Sequence, residues 1–426
     1  MVRGSQGTTS GRENYQKEME PVKAWYREQK WHVNPMNFFP EVTADFDLPD
    51  KVLILDSTIR KMTGTSGCNW SIQGAVDICT MADEVGVDYV EVNIVHGSQP
   101  PSKKMLDMFE AIAKKDFRFK LFGTARPTKE SMDDVIDRGS DGINVSSRDM
   151  KRLTDVFGYI KSKGLLYASH PGGGRLEHVP PEETVKRINE LAKMGIEYAA
   201  IHENTGATTP EAWRYAMKRM RSMLEPEVKN VPIIPHIHNM LGGGTMTAVA
   251  AVTGGARGID VSCNGIAIHC GLAALEEVVT ILEVLYGVET NIKLEKLQEY
   301  SKVVEKATGL PVHYNKPLVG SNAFMCELES FVHDVLVARE RGEERIHPIA
   351  PSLVGSENVL VWGENTLMGF GTEVKLKQLG LSHDRATVGK VVEAMEAELA
   401  TKTAYPVYLT EPEVDALCKR VAGSPS

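Results

Sequence analysis

The sequence has 426 residues, with 48 Lys+Arg against 57 Asp+Glu for a formal charge of -9, and is 42% hydrophobic and 25% charged. That length exceeds the ~100–200 residues of an average domain, so one large domain plus a smaller one is expected, and the acidic balance without a long Lys/Arg run excludes nucleic-acid or anionic-membrane binding as the main business. No window approaches the ~20 apolar residues of a membrane span, the polar start MVRGSQGTTSGR lacks the apolar core of an export signal, and the cysteines show no C-x-x-C spacing, which together predict a cytoplasmic protein with free thiols that works on small molecules.

Residues 1–50 read as an N-terminal extension, with YQKEMEPVKAWYREQKW helical and MNFFPEV packed against the large domain. From residue 51 a short β-rich run alternates with a helical segment: KVLILDSTI, VDYVEVNI, FRFKLFGTA, GINVSS, LLYASH, YAAIHE, VPIIPHIHN and GIDVSCNGI each precede a stretch with apolar i, i+3, i+4 spacing. Eight βα units in about 235 residues predict an α/β fold, a (β/α)₈ TIM barrel over 51–288 with its chemistry at the carboxyl ends of the strands. A doubly wound sheet is the rival, but no Gly-rich dinucleotide loop follows the first strand. From 289 to 426 the pattern changes to amphipathic helices and Gly/Pro/Asn-rich loops, read as small helical C-terminal subdomains.

His236-Ile237-His238-Asn239 ends the seventh strand. Residues two apart on a strand face the same way, so His236 and His238 can converge on one metal ion at the barrel mouth; the competing reading is two histidines satisfied by backbone groups. After the first strand, Arg60 offers a permanently charged fork for a carboxylate or enolate oxygen, against a plain rim salt bridge, while Asp56 reads as a structural acceptor. Arg60, His96, Arg175 and Asn239 form the substrate-binding set, with Arg175 closing a Gly-rich loop, HPGGGR, that reads either as an anion nest or as flexible chain. A solvated loop histidine is the bland alternative for His96, and inert packing for Cys270.

D-S-T-I-R, H-I-H-N, the run GGARGIDVSCNGIAIHCGLAALEEVV, and later TGLPVHYNKPLVGSNAF, ELESFVH and PSLVG together resemble the 2-isopropylmalate, homocitrate and citramalate synthase family, over about residues 50–380. The resemblance implies a metal-dependent (β/α)₈ barrel that condenses an acyl-CoA, usually acetyl-CoA, with a small 2-oxo acid in amino-acid or carboxylic-acid biosynthesis. It implies a homodimer, His236 and His238 as ligands of a divalent Mn, Zn or Mg ion, Arg60 polarising the 2-oxo acid, and His333 of E-S-x-x-H as a catalytic histidine. The chain is expected to lack the C-terminal leucine-sensing domain of full-length isopropylmalate synthases.

The departures fall on the metal site. The family places Asp or Glu directly after the arginine as a ligand, where this chain has Lys61; the eighth-strand motif ends in a metal-approaching Asn, where this chain has Leu272; and an acidic pair is replaced by His170 to Arg175. Exchanging a carboxylate for an ammonium moves the site by two charge units. Lys61 could be carbamylated, or His269, Cys270 or Glu203 could supply ligands, or the metal has been abandoned. In the last case Lys61, desolvated beside Arg60, becomes a Schiff-base nucleophile for metal-free carbon–carbon lyase or aldolase chemistry. Arg60, Lys61, Glu203 and His333 are thus the catalytic candidates, and a non-catalytic paralogue is the remaining alternative.

Overall fold

In the computed structural model, residues 26–27, 29–94, 101–170, 178–404 and 406–423 are described. The apolar runs form eight parallel strands: β1 Leu53–Asp56, β2 Tyr89–Asn93, β3 Lys120–Ala125, β4 Gly142–Val145, β5 Leu166–Ala168, β6 Ala199–Glu203, β7 Ile233–Ile237 and β8 Gly258–Val261. They are ordered β5-β4-β3-β2-β1-β8-β7-β6. A bridge between Ser169 and Ala199, with Ala200 N–H donating to Ser169 O at 3.0 Å, joins β5 to β6 and nearly closes the sheet into a barrel. The predicted TIM-barrel class is the observed one.

A helix follows each strand: α1 Thr58–Met62 and α2 Ile72–Val85 after β1, then α3 Lys103–Ala113, α4 Lys129–Ile136, α5 Met150–Ser162, α6 Pro181–Lys193, α7 Pro210–Met223, α8 Gly244–Thr253 and α9 Leu275–Tyr286. Their starts are written in the sequence. Ser71, Ser102, Thr128, Asp149 and Thr209 each accept a hydrogen bond from a first-turn N–H, the usual way to satisfy those orphan donors. Helix α10, Leu297–Thr308, packs on α2, and its Tyr300 hydroxyl donates to Asp56, a buried structural acceptor as read from the sequence. The MNFFPEV segment forms two short helical turns, and Phe38 reaches the surroundings of Gly287 beside α9.

Strand parity decides what fills the barrel. Successive side chains alternate faces, so one set of odd or even positions per strand points into the lumen. Leu55, Tyr89, Phe122, Ala168, Tyr198, Ala200 and Ile234 form the buried lumenal core. The rings of Tyr89, Phe122 and Tyr198 pack with centroids 5.2–5.8 Å apart. Gly142 makes room for them, since a Cβ there would sit 2.5 Å from the Phe122 ring.

The chain divides into two compact units, one spanning Asn34–Val312 and the other Tyr26–Val33 with His313 onward. The second contains helices α11 Glu329–Glu340, α12 Phe370–Gln378, α13 Arg385–Leu399 and α14 Glu411–Ala422. It also holds a three-stranded sheet of β9 Met325–Cys326, β10 Val359–Trp362 and β11 Leu409–Thr410. Its core gathers Trp362, Leu376, Val391, Met395, Leu409 and Leu417. The helix expected across 15–31 is corrected at its end: Tyr26–Arg27 and Trp31–His32 pair as an antiparallel hairpin around Gln29, whose φ of 57° turns the chain. Residues 15–25 lie outside the described residues. Among the described residues no helix is long and apolar enough to cross a membrane.

Candidate active site

The parity that places Tyr89 in the lumen places Glu91 and Asn93 there too, one and two steps nearer the carboxyl end. The same step leads from Phe122 to Thr124, Gly142 to Asn144, Ala168 to His170, Ala200 to His202, Ile234 to His236 and His238, and Gly258 to Asp260. The carboxyl half of the lumen is therefore polar. Register brings His202 and Asp260 beside His236 as Cα partners on the two neighbouring strands.

Four imidazoles form a row, with ring centroids 3.9 Å apart for His170 and His202, 4.4 Å for His202 and His236, and 5.1 Å for His236 and His238. Burial is the main reason that all four resist protonation: it holds His170 below, and His202 and His236 well below, the usual histidine range, and brings His238 down to about 4.

Helix α1 begins directly after β1 and delivers Arg60 and Lys61 to this row. Arg60 Nη1 donates to Glu91 Oε1, and Nη2 lies 3.1 Å from both Asp260 Oδ2 and His236 Nδ1. Burial opposes its charge, but Glu91 and Asp260 outweigh burial and raise its pKa. Asn144 donates to Glu91 Oε2 at 2.8 Å, and the Tyr198 hydroxyl reaches the same oxygen at 3.4 Å, tying the polar layer to the aromatic core.

Lys61 Nζ lies 2.9 Å from His236 Nε2, and His236 Nδ1 lies 2.7 Å from Asp260 Oδ2. One tautomer satisfies both contacts: Nδ1–H donates to Asp260, and the Nε2 lone pair accepts from Lys61. Burial, then the Arg60 charge, lowers the Lys61 pKa to about 7. Arg60, Lys61, Gly64, Glu91, Asn93, Thr124, His170, His202 and Ile268 line a cavity of about 350 Å³. His202 Nε2, His170 Nδ1 and Asp260 Oδ1 are buried without a hydrogen-bond partner among the described residues.

His202, His236 and Asp260 each offer a ligand atom, all within 4.8 Å of one another, and on distance alone they are a possible His/Asp metal site. The occupancy of those atoms argues otherwise. The Nε2 lone pair of His236 already accepts the Lys61 amine and cannot also bind an ion. At an effective dielectric of 20, unit charges 4 Å apart interact by about 4 kcal/mol, so a divalent ion beside a charged Lys61 meets about 8 kcal/mol of repulsion, with Arg60 adding more. A divalent ion does not fit while Lys61 keeps this position.

The structure gathers Arg60, Lys61, His236 and His238 of the sequence-derived set. Glu203 does not face the cavity. Its carboxylate accepts from the N–H groups of Thr205, Gly206 and Ala207 at 2.8–3.2 Å, so it organises its own loop, and its neighbour His202 takes the lumenal place. Asn239 Oδ1 accepts from Gly244 N–H at 2.8 Å and caps α8; Gly244 is required there, because a Cβ would fall 2.9 Å from that oxygen. The segment carrying Leu272 folds back so that Leu272 bridges His238 and Asn239 N–H donates to Gly271 O at 3.0 Å, burying the leucine. Cys270 is exposed, with Sγ 3.6 Å from Met240 Sδ. His333 lies half-exposed on α11 in the second unit, 3.5 Å from Asp334. His96 and Arg175 lie outside the described residues. Sequence reasoning missed Glu91, Asn93, Thr124, Asn144, His202 and Asp260 as lumenal groups, although counting back by twos along each strand finds them.

Residues 51–304 match the HMGL-like family model. The 2-isopropylmalate synthase of Methanocaldococcus jannaschii is 30% identical, covering 89% of this chain and 73% of that protein. The homocitrate synthase of Methanopyrus kandleri is 30% identical, covering 84% of this chain and 90% of that protein. Among solved structures, the HMG-CoA lyase of Bacillus subtilis superposes with a TM-score of 0.54 at 20% identity, over 64% of this chain and 98% of that one, a likeness of fold.

Proposed function

From the premise that this chain belongs to the HMGL-like family, we propose that it is an acyltransferase that condenses an acyl-CoA, acetyl-CoA in the first instance, with a small 2-oxo acid. The observation that carries the reading is the Arg60 guanidinium on the wall of a 350 Å³ cavity at the carboxyl end of the barrel, fixed by Glu91 and Asp260. Arg60 binds the carboxylate of the 2-oxo acid, and the neutral His202 imidazole beside it, whose Nε2 is buried without a hydrogen-bond partner among the described residues, receives the proton that leaves the acyl α-carbon. The new carbon–carbon bond joins that carbon to C2 of the 2-oxo acid, and water then releases CoA.

The family is divalent-metal dependent. A manganese, zinc or magnesium ion on His236 and His238 would here have to displace Lys61 from His236, so no step of this reading passes through an ion. His333 as a catalytic group, the homodimer and the cytoplasmic location belong to the same reading; alanine substitution, light scattering and cell fractionation test them in turn.

Release of free CoA thiol, followed with a panel of 2-oxo acids from pyruvate to 2-oxoglutarate, tests the reaction. Thiol appearing only when both substrates are present supports it, and thiol release independent of every 2-oxo acid contradicts it. A second reading, carbon–carbon lyase or aldolase chemistry through a Lys61 imine, is favoured by one observation: a half-buried amine with its pKa lowered to about 7 on the cavity wall. Borohydride reduction with a 2-oxo acid, followed by mass mapping of Lys61, decides between the two.

A further inference from the structure

Resting on the acyl-transfer reading, we infer that the Lys61 side chain takes the place of a divalent cation in this site, holding and polarising the C2 carbonyl oxygen of the bound 2-oxo acid.

Position is the first support. Lys61 Nζ and the Arg60 guanidinium share the cavity wall, so a 2-oxo acid whose carboxylate meets Arg60 presents its ketone oxygen to Lys61. The amine is aimed by His236 Nε2 at 2.9 Å, and His236 is fixed through Nδ1 by Asp260 at 2.7 Å. An ammonium has three N–H groups, and with one given to His236 two remain for substrate oxygen.

Charge is the second support. A carboxylate plus a divalent ion sums to one positive charge, and a single ammonium carries the same charge. Arg60 and a charged Lys61 then balance Glu91 and Asp260 within one buried cluster, without any added ion. Without an added ion the cluster is neutral, and the Lys61 ammonium on the cavity wall is the charge that faces a developing alkoxide.

The chemistry balances. As the α-carbon of the acyl-CoA bonds to C2, the C2–oxygen π pair moves onto oxygen, which takes a proton from the Lys61 ammonium. The proton taken from the acyl α-carbon restores the count, so no oxidant or further reactant is needed. A covalent imine does not serve this reaction. Attack on an iminium carbon would leave C2 joined to Nζ by a saturated C–N bond that water does not cleave, and the hydroxy acid could not leave. Lys61 therefore acts without a covalent bond to substrate.

Isothermal titration of the chelator-treated full-length protein with Mn²⁺, and separately with Zn²⁺, tests the inference, paired with Lys61→Asp. The expected result is no saturable binding to the wild type in the millimolar range and about one ion bound per chain in Lys61→Asp. Wild-type thiol release should be indifferent to chelator, and borohydride with pyruvate should leave the mass of Lys61 unchanged. One ion bound tightly per wild-type chain, loss of thiol release on chelation, or a reduced adduct on Lys61 would overturn it. If no substrate pair releases thiol, the acyl-transfer reading falls, and the titration still decides whether Lys61 or an ion holds the site. Should Lys61→Asp fail to fold, the wild-type titration alone decides that question.

Discussion

The two halves of the barrel lumen are built by the same strands, two residues apart, and differ in almost everything else. Toward the amino ends lie Leu55, Tyr89, Phe122, Tyr198 and Ile234, apolar bodies in close ring contact. Toward the carboxyl ends lie Glu91, Asn144, His170, His202, His236 and Asp260, polar groups several of which keep an atom without a partner. A buried polar atom without a hydrogen bond costs roughly 1–3 kcal/mol, so the upper half is held in place by the lower and trades stability for unsatisfied chemistry. The step of two residues that separates the halves also separates packing from function.

The contrast can be broken most forcefully at Arg60. Arg60→Ala removes the charge proposed to bind substrate and leaves the buried carboxylates of Glu91 and Asp260 without their guanidinium counter-charge, so kcat/KM should fall by about 10²–10³-fold and stability by about 3–5 kcal/mol. Thiol release and urea unfolding read the two losses separately. Below it, Phe122→Ala should cost about 3–5 kcal/mol in unfolding experiments. The relative rates with different 2-oxo acids should stay as in the wild type, and a changed preference among them would mean that the lower half reaches the chemistry.

A finer comparison lies between adjacent residues of β6. Glu203→Gln weakens a carboxylate that accepts three backbone N–H groups and should lower stability by roughly 1–3 kcal/mol with kcat little changed. His202→Ala should do the reverse, lowering kcat with a modest effect on the melting midpoint. Exchange of those two phenotypes would place the catalytic group on the loop.

The last test is the dependence on pH. The four lumenal histidines have folded-state pKa values below the ordinary 6.5, that of His238 at about 4, so the unfolded chain takes up protons first as pH falls. Their contribution to stability is complete above about 6.5 and is lost as pH falls toward 4. Asp56 acts in the opposite sense. Burial, opposed by the Thr58 and Tyr300 hydrogen bonds, raises it to about 6, so its proton stabilises the fold at low pH and that contribution disappears as pH rises from about 4 to 6. Four groups outweigh one, and the melting midpoint should drop between pH 7 and 5. The drop should be smaller in His238→Asn, and an unchanged drop would remove His238 from this account.

The barrel was legible because its signal is repeated: eight apolar runs, each followed by helical periodicity and most by a side-chain cap such as Ser71 or Thr209. The H-x-H pair was legible because the two histidines lie two residues apart at the end of one strand. Lys61 was legible as a charge anomaly, although its partner, the Nε2 of His236, needs the fold to appear. Less legible were groups brought together by register. His202 and Asp260 meet His236 only through strand pairing, and nothing local marks them. Glu203 drew attention because acids look catalytic, yet it follows His202 by one position, and one position on a strand is the other face. Asn239 likewise reads as a substrate-binding group until the N–H of Gly244 is seen to occupy its side-chain oxygen.

The most direct test of the account is CoA-thiol release by the wild-type protein and by Arg60→Ala, measured with acetyl-CoA and each 2-oxo acid of the panel. The account predicts thiol release by the wild type that requires one or more of the acids and falls by at least about 10²-fold in a folded Arg60→Ala. Equal release by the two proteins, or release indifferent to the acid, would contradict it.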